Sequence, residues 1–299
     1  MSGTAKWHER PNRWKATTAW LFLAPFMTIF IVFTAVPALL ALVYSFTDMG
    51  VADIRHPLNV DFTLATFAKV LTNAGFLKSL VTTGLFIVIG VPITMALGLA
   101  LALGLNSGIQ KLRAAYRAAF YLPVITNIVA AAVIWQYAFT LSGPVNSFLV
   151  SIGGSAPNWL GDPKMALTTV LMLTVWRNVG TCMVLFLAGL QSIPEDVYEA
   201  AKIDGAGAWK RFTSMTLPLL RPATLLVTVL MTVSFMNIFD EPYLLTKGGP
   251  LGSTRSVALW VYEQFGHGNI ASAMAGSYVM LAIVIALGVV QLRMLRARQ

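Results

Sequence analysis

The sequence is short of charge. Of its 299 residues, 11% are Asp, Glu, Lys or Arg and 57% are hydrophobic, whereas a water-soluble domain carries about 25% charged residues. No polar stretch is long enough to form a soluble domain. The chain therefore reads as one helical membrane domain over residues 1–299, with lipid in place of water around its apolar surface. Cysteine is almost absent. The single Cys182 sits in an apolar run, which excludes a disulfide framework and a thiolate metal site and leaves it as a small buried apolar residue. The three histidines, His8, His56 and His267, stand apart in loops or ends, so no ligand set for a metal is expected. No G-x-x-x-x-G-K-[ST] run occurs, so nothing here can cradle nucleotide phosphates as a P-loop does. The Gly205-Ala206-Gly207 cluster lacks the strand that such a loop follows. With no nucleophile and base pair either, the chain is not expected to be an enzyme by itself or to carry a cofactor.

What the chain has in quantity is long apolar runs. Six can be marked, at about 18–46, 79–105, 118–140, 165–190, 219–245 and 272–292. Each reaches the roughly 20 residues a helix needs to cross the hydrocarbon. Helices are required because every backbone amide must be paired within its own segment. The stretch LFIVIGVPITMALGLALALG, residues 85–104, is apolar all round and lacks the alternation of a barrel strand. Pro25, Pro37, Pro92 and Pro123 fall within or near these runs, as kinks at a pathway or as ordinary features of bundle packing. The first run is too long for the apolar core of a cleaved signal peptide and is expected to stay as a span, with Trp7, Trp14 and Trp20 near the headgroups.

The net charge of +9 in a soluble protein would suggest nucleic acid. Its placement suggests a membrane topology instead. With the N-terminus inside, the inner segments hold fourteen Lys and Arg: Lys6, Arg10, Arg13 and Lys15; Lys111, Arg113 and Arg117; Lys202, Lys210, Arg211 and Arg221; Arg293, Arg296 and Arg298. The outer segments hold six: Arg55, Lys69, Lys78, Lys164, Lys247 and Arg255. That bias follows the positive-inside rule and predicts both termini in the cytoplasm. The basic loops would face anionic lipid and a cytoplasmic partner, not nucleic acid.

The loop QSIPEDVYEAAKIDGAGAWKRFTSMTLPLLRP, residues 191–222, carries the most information. Pro194 with Glu195 and Asp196 is a helix start, since Pro fits the first turn and acids favour its dipole. Val197, Tyr198, Ala201 and Ile203 then give an apolar set on a short helix. Asp204-Gly205 breaks it, a second helix bears Trp209 and Phe212, and Leu217-Pro218 ends that helix ahead of the next span. Two short helices around a glycine corner, at the basic side of a bilayer, are built to dock onto another protein.

At these residues the chain resembles a known family. Glu199-Ala200-Ala201, then three residues to Gly205, then nine to Met215, followed by Leu217-Pro218, is the signature of permease subunits of binding-protein-dependent ABC importers, with Met215 where Ile is usual. LAGLQSIPEDVYEAAKIDGA (187–206) and FDEPYLLTKGGPLGST (239–254) are similar to the carbohydrate-uptake branch, which includes maltose-type and glycerol-3-phosphate-type permeases. The resemblance covers about residues 15–295. It implies an all-α polytopic fold of six transmembrane helices, the type I permease fold, in a bacterial cytoplasmic membrane. It implies that loop 191–218 is the coupling element seated on a cytoplasmic ATPase, with Glu199 as the acidic contact and Ala200, Ala201, Asp204, Gly205, Leu217 and Pro218 completing it. The implied partners are a second homologous permease, an ATPase dimer that binds ATP and Mg, and an extracytoplasmic solute-binding protein.

Polar residues within the runs are costly and so point to function. Arg177, between Trp176 and Asn178, lies near mid-depth of the fourth run. Trp can stack on a sugar ring while Arg and Asn bond its hydroxyls. Equally, Arg177 can pair with a carboxylate or carbonyl for structure alone. Asn237, Asp240 and Glu241 at the end of the fifth run, and Asn127 and Gln136 in the third, complete the pathway candidates. Two other classes stay open. A carrier driven by an ion gradient would need membrane carboxylates, and only Asp240 and Glu241 qualify. A scaffold or sensor subunit would dock through the loop without a polar cavity.

Overall fold

The computed structural model describes residues 13–55, 61–107 and 112–296. Lys6, Trp7, His8, Arg10, His56, Lys111 and Arg298 lie outside the described residues. The described chain is built of helices, with one isolated bridge between Thr47 and Phe62. In order they are α1 (Trp20–Ser45), α2 (Ala65–Thr72), α3 (Ala74–Asn106), α4 (Arg113–Ile125), α5 (Ile128–Ala138), α6 (Pro144–Ser151), α7 (Pro163–Gln191), α8 (Glu195–Ile203), α9 (Ala208–Leu219), α10 (Arg221–Met236), α11 (Asp240–Thr246), α12 (Val257–Gly266) and α13 (Ile270–Arg296). Four of them, α1, α3, α7 and α13, are long and apolar enough to cross a bilayer alone. Two bent pairs, α4 with α5 and α9 with α10, bring the number to six if each pair is one crossing.

Three prolines are accommodated in the same way. The chain widens into a π turn at Ile31–Ala35, Phe86–Gly90 and Phe212–Thr216, and Pro37, Pro92 and Pro218 each follow two residues after. A proline ring inside an α-helix clashes with the carbonyl four residues back and withholds a hydrogen bond. In all three cases that carbonyl, of Phe33, Val88 or Ser214, lies in the widened turn, where the extra residue lets it move aside. Pro218 therefore does not end its helix, as the sequence suggested; α9 runs on to Leu219.

The expectation of one helix at 118–140 fails for a related reason. α4 ends just past Pro123, Thr126 is extended, and α5 starts afresh at 91° to it. Asn127 makes that start possible: its Oδ1 accepts hydrogen bonds from the amides of Val129 (2.9 Å) and Ala130 (3.3 Å), donors left unpaired by any helix N-terminus. The fifth stretch is likewise broken. α9 meets α10 at 66°, α10 stops at Met236, and Asn237–Phe239 lead into the separate α11.

α7 is the centre of the fold: 56% of its most apolar stretch is buried, against none of α1's. Leu173, Cys182, Met183 and Phe186 of α7 pack with Phe86 and Ala102 of α3 and with Val227 and Phe235 of α10. α4 can reach α7 because residue 180 is glycine: a Cβ there would lie 2.5 Å from the carbonyl oxygen of Phe120. Small residues at such crossings let helix backbones approach in a membrane. A second cluster, of Val70, Phe76, Met236, Val257, Trp260, Ala275 and Met280, joins α2, α3, α10, α12 and α13. α1 rests on α13 by its second half, where the Tyr278 hydroxyl donates to the carbonyl of Ala38.

Candidate functional site

Two features stand out, a polar cavity open at the surface of the bundle and an exposed helical corner. The cavity, about 390 Å³, lies between α7, α10 and α11 and is lined by Thr174, Arg177, Asn178, Val233, Ser234, Asn237, Ile238, Phe239, Asp240 and Glu241. Helical spacing accounts for the wall from α7: Thr174, Arg177 and Asn178 are i, i+3 and i+4, one face of the helix. Ser234 lies in the last turn of α10 and Asn237 caps its C-terminal end, i and i+3, and Asp240 and Glu241 form the first turn of α11, where acids complement the helix dipole.

Arg177 Nη1 lies 2.7 Å from Oε1 of Glu241, an ion pair between α7 and α11 in which the Glu241 side chain is 6% exposed and that of Arg177 27%. Of the two readings open for Arg177, pairing with a carboxylate is the one the geometry shows. Ser234 Oγ donates to Asn178 Oδ1 (3.1 Å) and Asn178 Nδ2 donates to the carbonyl of Thr174 (2.9 Å), so the two walls are tied by side chains that also face the cavity. Asn237 Nδ2 donates back to the carbonyl of Val233 at 2.9 Å. Asp240 is exposed and has no ion-pair partner among the described residues.

The cavity thus gathers Arg177, Asn178, Asn237, Asp240 and Glu241 but not the other three pathway candidates. Trp176 packs on Trp135, with ring centroids 6.0 Å apart, and lines an apolar groove with Ile93, Leu97 and Phe120 on another face of α7. Asn127 is the cap of α5. Gln136 Nε2 donates to the carbonyls of Leu244 (2.7 Å) and Leu245 (3.2 Å), fastening α5 to the end of α11. The sequence reading missed Thr174, Ser234 and Phe239. The i, i+3, i+4 polar stripe on α7 was the signal for the first. Phe239 is the aromatic that the cavity holds, and its ring stacks on Tyr243 (5.3 Å) and meets Tyr262 edge-on (5.2 Å).

The second feature is the loop between α7 and α10. α8 closes at Gly205, which has φ +73°, a backbone conformation that costs a residue with a Cβ about 1–2 kcal/mol. The amide of Ala206 donates to the carbonyl of Ala201 (2.9 Å) and that of Gly205 to Lys202 (3.1 Å), the paired bonds that satisfy the last carbonyls of a helix. Ala201 beneath them is 1% exposed, so EAA-x-x-x-G has a local structural cause. The Tyr198 hydroxyl and Thr216 Oγ1 are 3.1 Å apart, tying α8 to α9. Val197, Tyr198 and Ala201 turn inward as expected. Ile203 does not: it sits two residues beyond Ala201, off that face, and is 86% exposed, as Trp209 is 76% exposed. Glu199, Ala200, Asp204 and Gly205 are exposed too, Leu217 partly so, and Pro218 is half-buried. Among the described residues no group of His, Cys, Asp and Glu could hold a metal ion.

Residues 95–298, which include both features, match the family described as "Binding-protein-dependent transport system inner membrane component". The chain belongs to that family. This inner membrane component is thus a multi-pass transport permease and not an enzyme. The chain is 33% identical over 295 residues to the lactose transport system permease protein LacF of Rhizobium radiobacter, covering 96% of this chain and 97% of LacF. It is 32% identical over 293 residues to the trehalose/maltose transport system permease protein MalF of Thermococcus litoralis, covering 95% and 96%. It is 30% identical over 282 residues to the sn-glycerol-3-phosphate transport system permease protein UgpA of Agrobacterium fabrum, covering 93% and 94%. In fold it matches a chain from the crystal structure of a bacterial alginate ABC transporter in complex with an alginate pentasaccharide-bound periplasmic protein, with TM-score 0.77, 20% identity and 95% of each chain covered. The all-α polytopic architecture of a type I permease is therefore the fold of this family member.

Proposed function

We propose that the chain is one of two homologous permease subunits of an ATP-driven importer for sugars or sugar-like solutes. It lies in a bacterial cytoplasmic membrane with both termini and loop 191–218 in the cytoplasm. The observation that carries this reading is the α8–Gly205–α9 corner, which exposes Glu199, Ile203 and Trp209 together. A buried apolar-and-acidic corner would be core; an exposed one fits a cleft on a partner, where charged contacts fix register and apolar ones exclude water. The partner is an ATPase dimer that binds ATP and Mg. On this reading that partner, and not this chain, holds the nucleotide and its metal. Glu199, Ala200, Ala201, Asp204, Gly205, Leu217 and Pro218 form the seat.

The pathway runs through the cavity of Arg177, Asn178, Asn237, Asp240 and Glu241, completed by the second permease and loaded by an extracytoplasmic solute-binding protein. ATP-driven closure of the ATPases draws the loops together and turns the cavity outward, an alternation between two states of one assembly. A carrier driven by an ion gradient is supported less, because Glu241, one of the two carboxylates it would use, is tied to Arg177.

The test is Glu199→Arg. In vesicles carrying the assembled importer, solute uptake should need ATP and should fall at least about tenfold in the variant, as expected when a contact worth about 2 kcal/mol or more is reversed. Membrane insertion should be unchanged. Undiminished uptake would sink the docking role, and uptake that ignores ATP would sink the importer.

A further inference from the structure

The cavity between α7 and α10 has a charge balance that its mixed polar lining conceals. Its lining holds one cation, Arg177, and two carboxylates, Asp240 and Glu241. Arg177 is paired through Nη1 with Glu241 at 2.7 Å, so its charge is offset by a carboxylate of the same lining while its side chain stays 27% exposed. Asp240 is left over, exposed and without an ion-pair partner among the described residues. The rest of the lining that this chain supplies is uncharged, with the amides of Asn178 and Asn237, the hydroxyls of Thr174 and Ser234, and the ring of Phe239 as its polar and aromatic groups.

From this arrangement we infer that the solute taken by this site is an uncharged sugar and that sugar acids and phosphorylated polyols are rejected. The inference rests on the cavity being the solute pathway, as proposed above. Each element has a chemical counterpart in a neutral sugar. A carboxylate accepts two hydroxyl hydrogen bonds at once, and such charge-assisted bonds are stronger than neutral ones. An aromatic ring offers an apolar face to the C–H side of a pyranose, with polar groups beside it to fix the hydroxyls. Amides supply a donor and an acceptor each. A carboxylate or phosphate on the solute would instead face Asp240, and the one cation that this chain places in the lining is already paired with Glu241. Selectivity here comes as much from that repulsive element as from the attractive ones.

The experiment uses the full importer, this chain with its partner permease and ATPase, in lipid nanodiscs without the solute-binding protein, so that no selection occurs upstream. Weak binding is read by saturation-transfer NMR with four probes at millimolar concentration: lactose and trehalose, which are neutral, and lactobionate and galacturonate, which are acidic. The neutral pair should give signal at least about tenfold above the acidic pair, since like charges brought together are strongly disfavoured. Asp240→Asn should lower the neutral signal and narrow the ratio, and Asp240→Lys should raise the acidic pair to or above the neutral one. Asp240 is exposed, so neither change disturbs packing, and a residue serving only to start α11 would leave the ratio unmoved. Equal binding of both classes, preferential binding of the acids, no binding of any probe, or a ratio unchanged in both variants overturns the inference. Failure of the importer reading shows elsewhere, as an absence of ATP-dependent uptake by the same complex in vesicles supplied with its binding protein.

Discussion

Glu241→Gln tests the arrangement on which the cavity depends. In the wild-type chain, Glu241 Oε1 and Arg177 Nη1 are 2.7 Å apart, with the Glu241 side chain 6% exposed. At an effective dielectric constant of about 20, two unit charges with centres about 4 Å apart attract by about 4 kcal/mol. Most of that is offset by the desolvation of both groups when the pair is compared with a hydrophobic substitute. It is not offset when one partner alone is removed, because the other charge stays where it was. Removing one member of a buried pair costs about 3–5 kcal/mol. Arg177 retains 27% exposure and can turn part of its guanidinium toward water in the cavity, which places Glu241→Gln nearer about 2–3 kcal/mol. Arg177→Met should cost a similar amount, by leaving Glu241 unpaired. The double variant Arg177→Met/Glu241→Leu removes both charges and should lie within about 1 kcal/mol of wild type. The assay is a double-mutant cycle on reversible unfolding in lipid bicelles, and the expected coupling exceeds about 1.5 kcal/mol. Single variants whose effects simply add, with coupling below about 0.5 kcal/mol, would show that the two groups do not share a pair. Arg177 would then be a free cation in the cavity, and the preference for uncharged solutes would lose its basis.

Gly180→Ala should destabilise the bundle by about 1–3 kcal/mol, because the new methyl would meet the backbone oxygen of Phe120 at 2.5 Å. Gly84→Ala, with open space around it, should be neutral or stabilising by up to about 1 kcal/mol; thermal unfolding of the two variants side by side distinguishes close approach from helix propensity. Gly205→Ala also meets open space but must hold φ +73°. It should cost about 1–2 kcal/mol and, on the proposed coupling, lower the solute moved per ATP hydrolysed more than it lowers the amount of assembled complex.

The fold was largely legible because lipid leaves few choices. Uninterrupted apolar runs such as 85–104 can only be helices, and the structure has them as helices. The breaks were harder to see. Pro123 and Asn127 signal a helix end and a helix start, yet an apolar run continues across both, and hydropathy alone reads it as one span. Pro218 misled in the opposite sense, since a proline that usually stops a helix is absorbed by a π turn whose occurrence depends on neighbouring packing. The loop between α7 and α10 was the most legible element, because its geometry is local: Gly205, Ala201 and the helix between them lie within seven residues, and their hydrogen bonds follow from spacing. The cavity was legible only in part. The polar stripe on α7 is a helical repeat, but its partners are not. Arg177 meets Glu241 across 64 residues of sequence and Gln136 reaches Leu244 across 108. Both partnerships are set by packing that no local pattern records, which is also why Trp176, adjacent to Arg177, turned out to face a different groove.

The connectivity gives the two features a mechanical relation. α7 carries Arg177 and Asn178 in one wall of the cavity and runs 29 residues without a break to Gln191, where the loop begins. Arg177 is thus about 21 Å along a single helix from the loop. α10, which supplies Ser234 and the Asn237 at its C-terminal cap to the opposite wall, leaves the loop through a 66° bend at α9. On the proposed reading, a pull on the α8–α9 corner is resisted inside the loop by the Tyr198–Thr216 contact, which ties its two helices together. It is not absorbed by α7 either, whose Leu173, Met183 and Phe186 are fixed in the core. The compliant points that remain are the bend at Leu220 and the non-helical residues between α10 and α11. Displacement of the corner therefore moves the α10 wall relative to the α7 wall. The Ser234–Asn178 hydrogen bond crosses between those walls and the Arg177–Glu241 pair ties α7 to α11, so how far the cavity opens is set by whether they stretch, swing or part.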